Sequence, residues 1–134
     1  MLLIPTALAL ILGFLLITFT YSAYEKISDW NMSQGYYIDL YENLLSPIVI
    51  KAVIVFILVC EILLAILALV GIYDLVFTTT LVYVYYALTG SAVLFLILLL
   101  GLRLIKDYEG ASRIGIYFLV TITGFLLLST NIMV

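Results

Sequence analysis

Glu61 is the residue in this chain with the clearest capacity for chemistry. It lies in Phe56-Ile57-Leu58-Val59-Cys60-Glu61-Ile62-Leu63-Leu64, an otherwise apolar run. A charged side chain at the centre of a bilayer costs about 2.5–3.5 kcal/mol on insertion scales for Arg, Lys and Asp. Such a group should face the protein interior. Its charge then depends on whether a cation or strong hydrogen-bond donors stand close. The residue type suits proton handling or a polar contact with a quinone-like ligand. The plainer role is a structural hydrogen bond to Tyr, Thr or Ser on a neighbouring helix.

Glu25 and Lys26 follow the first apolar run directly. Lys26 has two options: it snorkels to the interface, or it turns inward and pairs with Glu61 or Glu25. On straight helices Lys26 lies near the membrane edge, while Glu61 lies about 20 Å inside Pro47 at 1.5 Å per residue. Direct pairing of Lys26 with Glu61 therefore needs a tilted or longer first helix. With Tyr21 and Tyr24 just before them, the candidate ligand or proton site is Glu61, Lys26, Tyr24 and Tyr21.

Other chemistries have little to work with. The chain has no histidine and one cysteine, Cys60. That removes His-ligated haem, His-containing zinc sites and His general-base catalysis. One thiol makes no intramolecular disulfide and no redox pair. Cys60 reads as a small hydrophobe. There is no Gly-rich phosphate loop, no Ser/His/Asp set and no metal-ligand cluster. No catalytic residue, bound metal or covalently bound cofactor is expected.

The elements that position Glu61 follow from composition. Of 134 residues, 67% are hydrophobic and 10% charged, against about 45–50% and 25% in an average globular domain. With a mean hydropathy of +1.38, so small a chain cannot hide its apolar surface in water. This excludes a soluble enzyme, and five Lys plus Arg exclude a nucleic-acid binder. Four stretches reach the ~20 apolar residues of a membrane helix, at about 2–24, 47–72, 75–102 and 114–132. They are apolar on every face and lack strict alternation, so they read as helices rather than barrel strands. The first lacks a basic leader and a small-residue cleavage site, and is expected as a retained helix.

The expected fold is all-α: residues 1–134 as a single integral membrane four-helix bundle. Pro47 suits the first turn of the second helix. Gly71-Ile72-Tyr73-Asp74 forms a hairpin between the second and third spans. A charged, Gly-containing turn over 103–113 joins the third and fourth. Between helices 1 and 2, residues 36–45 place Tyr37, Leu40, Tyr41 and Leu44 at helical spacing opposite Asp39, Glu42 and Asn43. That is an amphipathic segment lying in the interface, either a membrane-anchored loop or a lid over a pocket between the helices. Tyr83, Tyr85 and Tyr86 crowd the third span. Ala9 with Gly13, and Ala87 with Ser91, offer small residues four apart for close helix contact.

Lys26 and Lys51 flank the first loop, and Arg103, Lys106 and Arg113 lie in the third. By the positive-inside rule, this multi-pass cell-membrane protein has loops 25–47 and 103–113 in the cytoplasm and both termini outside.

The stretch Tyr21-Ser22-Ala23-Tyr24-Glu25-Lys26, with Glu61 in the second helix and Gly71 near its end, resembles the DoxX-like membrane proteins, including the MauE-type branch. In that family the first helix ends in a Gly/Ser–aromatic–Lys pattern, and a Glu often appears within the second. An Arg common early in the family's first helix is absent here. The resemblance implies a four-helix membrane subunit working in electron transfer or sulfur and thiol redox.

The resulting expectation is a small integral membrane subunit of a quinone-linked oxidoreductase. Glu61, Lys26 and nearby tyrosines would line a quinone or proton site, and redox centres would come from a partner. The alternative is a non-catalytic scaffold or assembly subunit of a larger membrane complex. A small transporter or channel would want more intramembrane charge and repeated halves. The implied ligands are a quinone or a lipid. The implied partners are membrane lipid and other membrane subunits, not nucleic acid.

Overall fold

The computed structural model describes residues 3–78 and 80–133, and side chains as far as 130. Its helices are α1 (Leu3–Ser28), α2 (Trp30–Tyr41), α3 (Pro47–Phe77), α4 (Val82–Leu104) and α5 (Tyr108–Met133). All but α2 are long and apolar enough to cross a membrane. They form a ring in the order α1, α3, α4, α5, with α5 closing against α1 and α2 packed on α3 and α1. The fold is an all-α bundle of membrane type.

Heptad-like stripes build the core. On α1 the buried positions are Leu8, Leu12, Leu15, Phe19, Ala23 and Lys26; on α3 they include Ile50, Ile54, Glu61, Leu64, Ala68 and Gly71. Spacings of three and four keep each set on one face. Val84, Ala87, Leu88 and Phe95 of α4 and Leu128 of α5 complete the cluster. The outward faces expose Leu10, Ile66, Val93, Leu119 and Leu126. Apolar surface this continuous is stable against acyl chains and not against water.

The expected boundaries shift in four places. The first helix runs on past residue 24 to Ser28, which puts Lys26 in its last turn; the expected starting residue, Leu2, lies outside the described residues. The second helix does not turn at Gly71-Ile72-Tyr73-Asp74 but continues to Phe77. Gly71 serves instead as a close-packing position. A Cβ there would meet Leu12 Cδ1 at 3.2 Å and Val84 Cγ2 at 3.4 Å, so its absence lets α1 and α4 approach α3. The helix ends where Thr78 turns extended and returns its N–H and hydroxyl to the Asp74 carbonyl, each at 3.0 Å. The third helix consequently starts at Val82 rather than residue 75.

The turn expected over 103–113 shrinks to 105–107 between α4 and α5, so α5 starts well before residue 114. Lys106 adopts φ 60°. Its N–H bonds the Arg103 carbonyl at 3.1 Å, and the Asp107 N–H bonds that of Leu102 at 2.9 Å. This is a Schellman cap with lysine where glycine is usual. Asp107 then caps α5, its Oδ1 accepting from the Gly110 N–H at 2.9 Å, as a short acidic side chain does at a helix start.

The segment between helices 1 and 2 is also displaced. α2 covers Trp30–Tyr41 rather than 36–45, because the chain turns at Tyr41 and Ser46 caps α3 ahead of Pro47. Its inward stripe is Trp30, Ser33, Gln34, Tyr37, Ile38 and Tyr41, while Leu40 and Leu44 are exposed.

Candidate functional site

α3 has 31 residues, about 46 Å at 1.5 Å per residue, more than the ~30 Å hydrocarbon core of a bilayer. Its N-terminal turns run past the end of α1, and α2 packs against that overhang. Lys26 is therefore level with Glu61, not with Pro47. The longer first helix that pairing requires is present.

Lys26 Nζ donates to Glu61 Oε1 at 2.9 Å and Oε2 at 3.2 Å, and to Ser22 Oγ at 2.8 Å. The side chains are 11% and 3% exposed. Ser22 lies one turn before Lys26 on the same face of α1, which fixes the ammonium's approach. Removing two charges from water is costly, and close geometry with added hydrogen bonds is what offsets it. Among the described residues this is the one salt bridge.

Two cavities meet at the pair. The larger, about 670 Å³, lies between α2, the overhang of α3 and the second half of α4. Ile50, Ile54, Ile57 and Ile97 wall it, Tyr37 and Tyr41 reach it from α2, and Lys26, Ser22 and Glu61 lie at one end. The smaller, about 360 Å³, lies between α1, α4 and α5 and is lined by Thr18, Tyr21, Ser22, Glu25, Glu61 and Tyr117 among others. Ser22 and Glu61 border both; Lys26 borders only the larger, and Glu25 only the smaller.

On the far side of the pair the bundle is closed. Phe19 stacks on Phe95 with centroids 5.4 Å apart, and Phe95 meets Tyr117 at 5.9 Å. Beyond them Leu8, Leu12, Leu15, Val84, Leu88 and Thr121 are fully buried.

Burial first, and the nearby Glu61 charge second, push the Tyr37 phenol above its ordinary value. Tyr37 thus keeps its proton and offers a donor. Burial, then Asp107, does the same for Tyr41.

Of the residues singled out from sequence, Glu61 and Lys26 come together. Tyr21 borders the smaller cavity with its side chain largely exposed. Tyr24 is exposed and borders neither cavity. Ser22, Tyr37 and Tyr41 belong to the site and were not singled out as site residues. Face register was the missing signal. Lys26 continues the Leu8-Leu12-Leu15-Phe19 stripe of α1, and Glu61 heads the Leu64-Ala68-Gly71 stripe of α3 that packs against it. Tyr83 and Tyr86, by contrast, sit exposed in the first turns of α4, at the level where tyrosine favours the membrane interface.

Comparison with protein-family models, with curated proteins and with solved structures found no match.

Proposed function

We propose that the chain is a small membrane subunit that holds a lipophilic, polar-headed ligand of the quinone class above the Lys26–Glu61 pair. It would serve a quinone-linked oxidoreductase whose redox centres belong to a partner subunit. The observation that carries this reading is the buried ion pair at one end of an apolar cavity of about 670 Å³. Pockets of about 300–1,000 Å³ with apolar walls and a few fixed polar groups are the usual form of a small-molecule site. An acid and a base inside a membrane helix bundle mark ligand or proton sites by default. The resemblance to DoxX-like proteins points the same way.

In this reading the ring and tail of the ligand lie against the isoleucines, and Lys26 donates to a carbonyl oxygen. A quinone takes two electrons and two protons to become a quinol. The electrons come from a redox centre of the partner, such as a flavin or an iron–sulfur cluster. Lys26 would stabilise negative charge growing on the reduced oxygen, and Glu61, ionised in the pair, would take up each of the two protons from water and pass it on. Tyr37, held protonated, orients the second oxygen or the lid over it.

The test is gentle purification followed by solvent extraction and identification of the bound lipophile and co-purifying chains. A quinone at near-equal molar ratio, lost in Ile54→Trp, is the expected result. An empty cavity, or a ligand undisturbed by Ile54→Trp, overturns it. Glu61→Gln should then slow quinone reduction by the intact complex by about 10²-fold or more; an unchanged rate removes Glu61 from the chemistry.

A further inference from the structure

We infer that the smaller cavity is a water-filled proton inlet that leads from Glu25 to the Glu61 carboxylate. It adjoins the larger cavity at Ser22, Glu61, Leu98 and Ile114. This deepens the quinone reading and takes its purpose from it.

The two cavities differ in kind. The larger is walled mostly by isoleucine and leucine, with its polar groups at the Lys26 end and on α2. The smaller carries Thr18, Tyr21, Ser22, Glu25, Glu61 and Tyr117 among its eleven lining residues. At about 360 Å³ it holds several waters at roughly 30 Å³ each. A cavity with this many donors and acceptors is hydrated, whereas an apolar one stays dry.

The division of charge runs the same way. Glu25 is exposed to solvent and Glu61 is buried, and both border this cavity. Lys26 borders the larger cavity and not this one. An ionised carboxylate has about four acceptor sites, and one ammonium does not fill them. Water in the smaller cavity can bond the remainder without displacing Lys26. A proton arriving at Glu25 passes along that water to Glu61, and from there to a reduced oxygen in the larger cavity. The Phe19–Phe95 stack and the buried leucines behind it end the path, so protons enter from one side and do not cross the bundle.

The groups facing Glu61 from each packed element are Lys26, Ser22 and Glu25 on α1, Tyr37 on α2 and Tyr117 on α5. Arg113, one residue before Ile114 of the lining, is exposed.

Water access is measurable without a ligand. In a Cys60→Ala chain in lipid nanodiscs, single cysteines replace Thr18, Tyr21 and, as a lipid-facing control, Leu119. Each is reacted with a cationic and an anionic methanethiosulfonate reagent, whose sulfur is attacked by a hydrated thiolate with loss of methanesulfinate. Thr18→Cys and Tyr21→Cys should react at least about 100-fold faster than Leu119→Cys. The cationic reagent should be favoured at Thr18→Cys. Adding Glu25→Gln should lower that preference roughly fourfold, the effect of one unit charge at about 10 Å in water. Protection of Thr18→Cys to the level of Leu119→Cys overturns the inlet, whatever the exposed Tyr21→Cys does. So does a charge preference indifferent to Glu25→Gln. Reactive cysteines in a chain that carries no quinone keep the inlet and remove the quinone.

Discussion

The Lys26–Glu61 pair is where single side chains matter most. Truncating one member leaves the other buried and uncompensated, which costs about 3–5 kcal/mol for buried pairs. Lys26→Met should therefore lower unfolding stability in mild detergent by several kcal/mol. Replacing both, Lys26→Met with Glu61→Met, should return most of the loss, because two apolar groups of similar volume carry no desolvation penalty. Equilibrium unfolding of the four chains of the cycle measures this. A double variant as unstable as the sum of the singles would mean the pair does not act as a unit. Tyr37 supplies a second residue-level test. Its folded-state phenol is held above its ordinary value by burial and by Glu61. As pH rises past about 10, the unfolded chain releases this proton before the folded one does, so stability falls. Tyr37→Phe should flatten that alkaline loss. A slope unchanged by the substitution would show that the phenol is not buried.

Helix ends set the geometry at the next scale, and they are where the sequence reading and the structure part. The existence and type of the four spans were legible because about 20 apolar residues in a row have one explanation. Their limits were not, because apolar content does not say where hydrogen bonding stops. Gly71 reads as a breaker in a hydropathy profile, yet it sits inside α3 as the point where Leu12 and Val84 press closest. Gly71→Val should destabilise the bundle by about 1–3 kcal/mol through overpacking, seen as an earlier unfolding midpoint. At a true hairpin tip the same change would cost little. Lys106 is the converse case. Nothing in its residue type announces a left-handed position, but its φ of 60° closes the α4 cap. Lys106→Gly should stabilise the chain by up to about 1 kcal/mol, because glycine adopts this conformation without the 1–2 kcal/mol strain of an L side chain. Failure to stabilise would mean the turn does not hold that conformation in the membrane. Glu61 was legible as an interior acid and Lys26 as one of its candidate partners; the length of α1, which decides whether the two stand opposite one another, was not.

At the scale of the whole molecule the charges argue for one orientation. Lys51, Arg103, Lys106 and Arg113 all lie at the end of the bundle that carries α2 and the α4–α5 turn, and Lys26 is buried below them. At the other end the described charged residue is Asp74, near the tip of the α3–α4 hairpin. The rule that fixes topology counts Lys and Arg in short loops and gives Asp and Glu little weight. The many acids beside α2 therefore do not cancel the four exposed cations. The hairpin tip should face outward and the α4–α5 turn the cytoplasm. In a Cys60→Ala background, Thr80→Cys should react with an impermeant maleimide on intact cells, and Lys106→Cys only after lysis. The reverse pattern would turn the bundle over. It would also move the mouth of the Glu25 cavity to the outer surface, so that protons for Glu61 came from the opposite compartment.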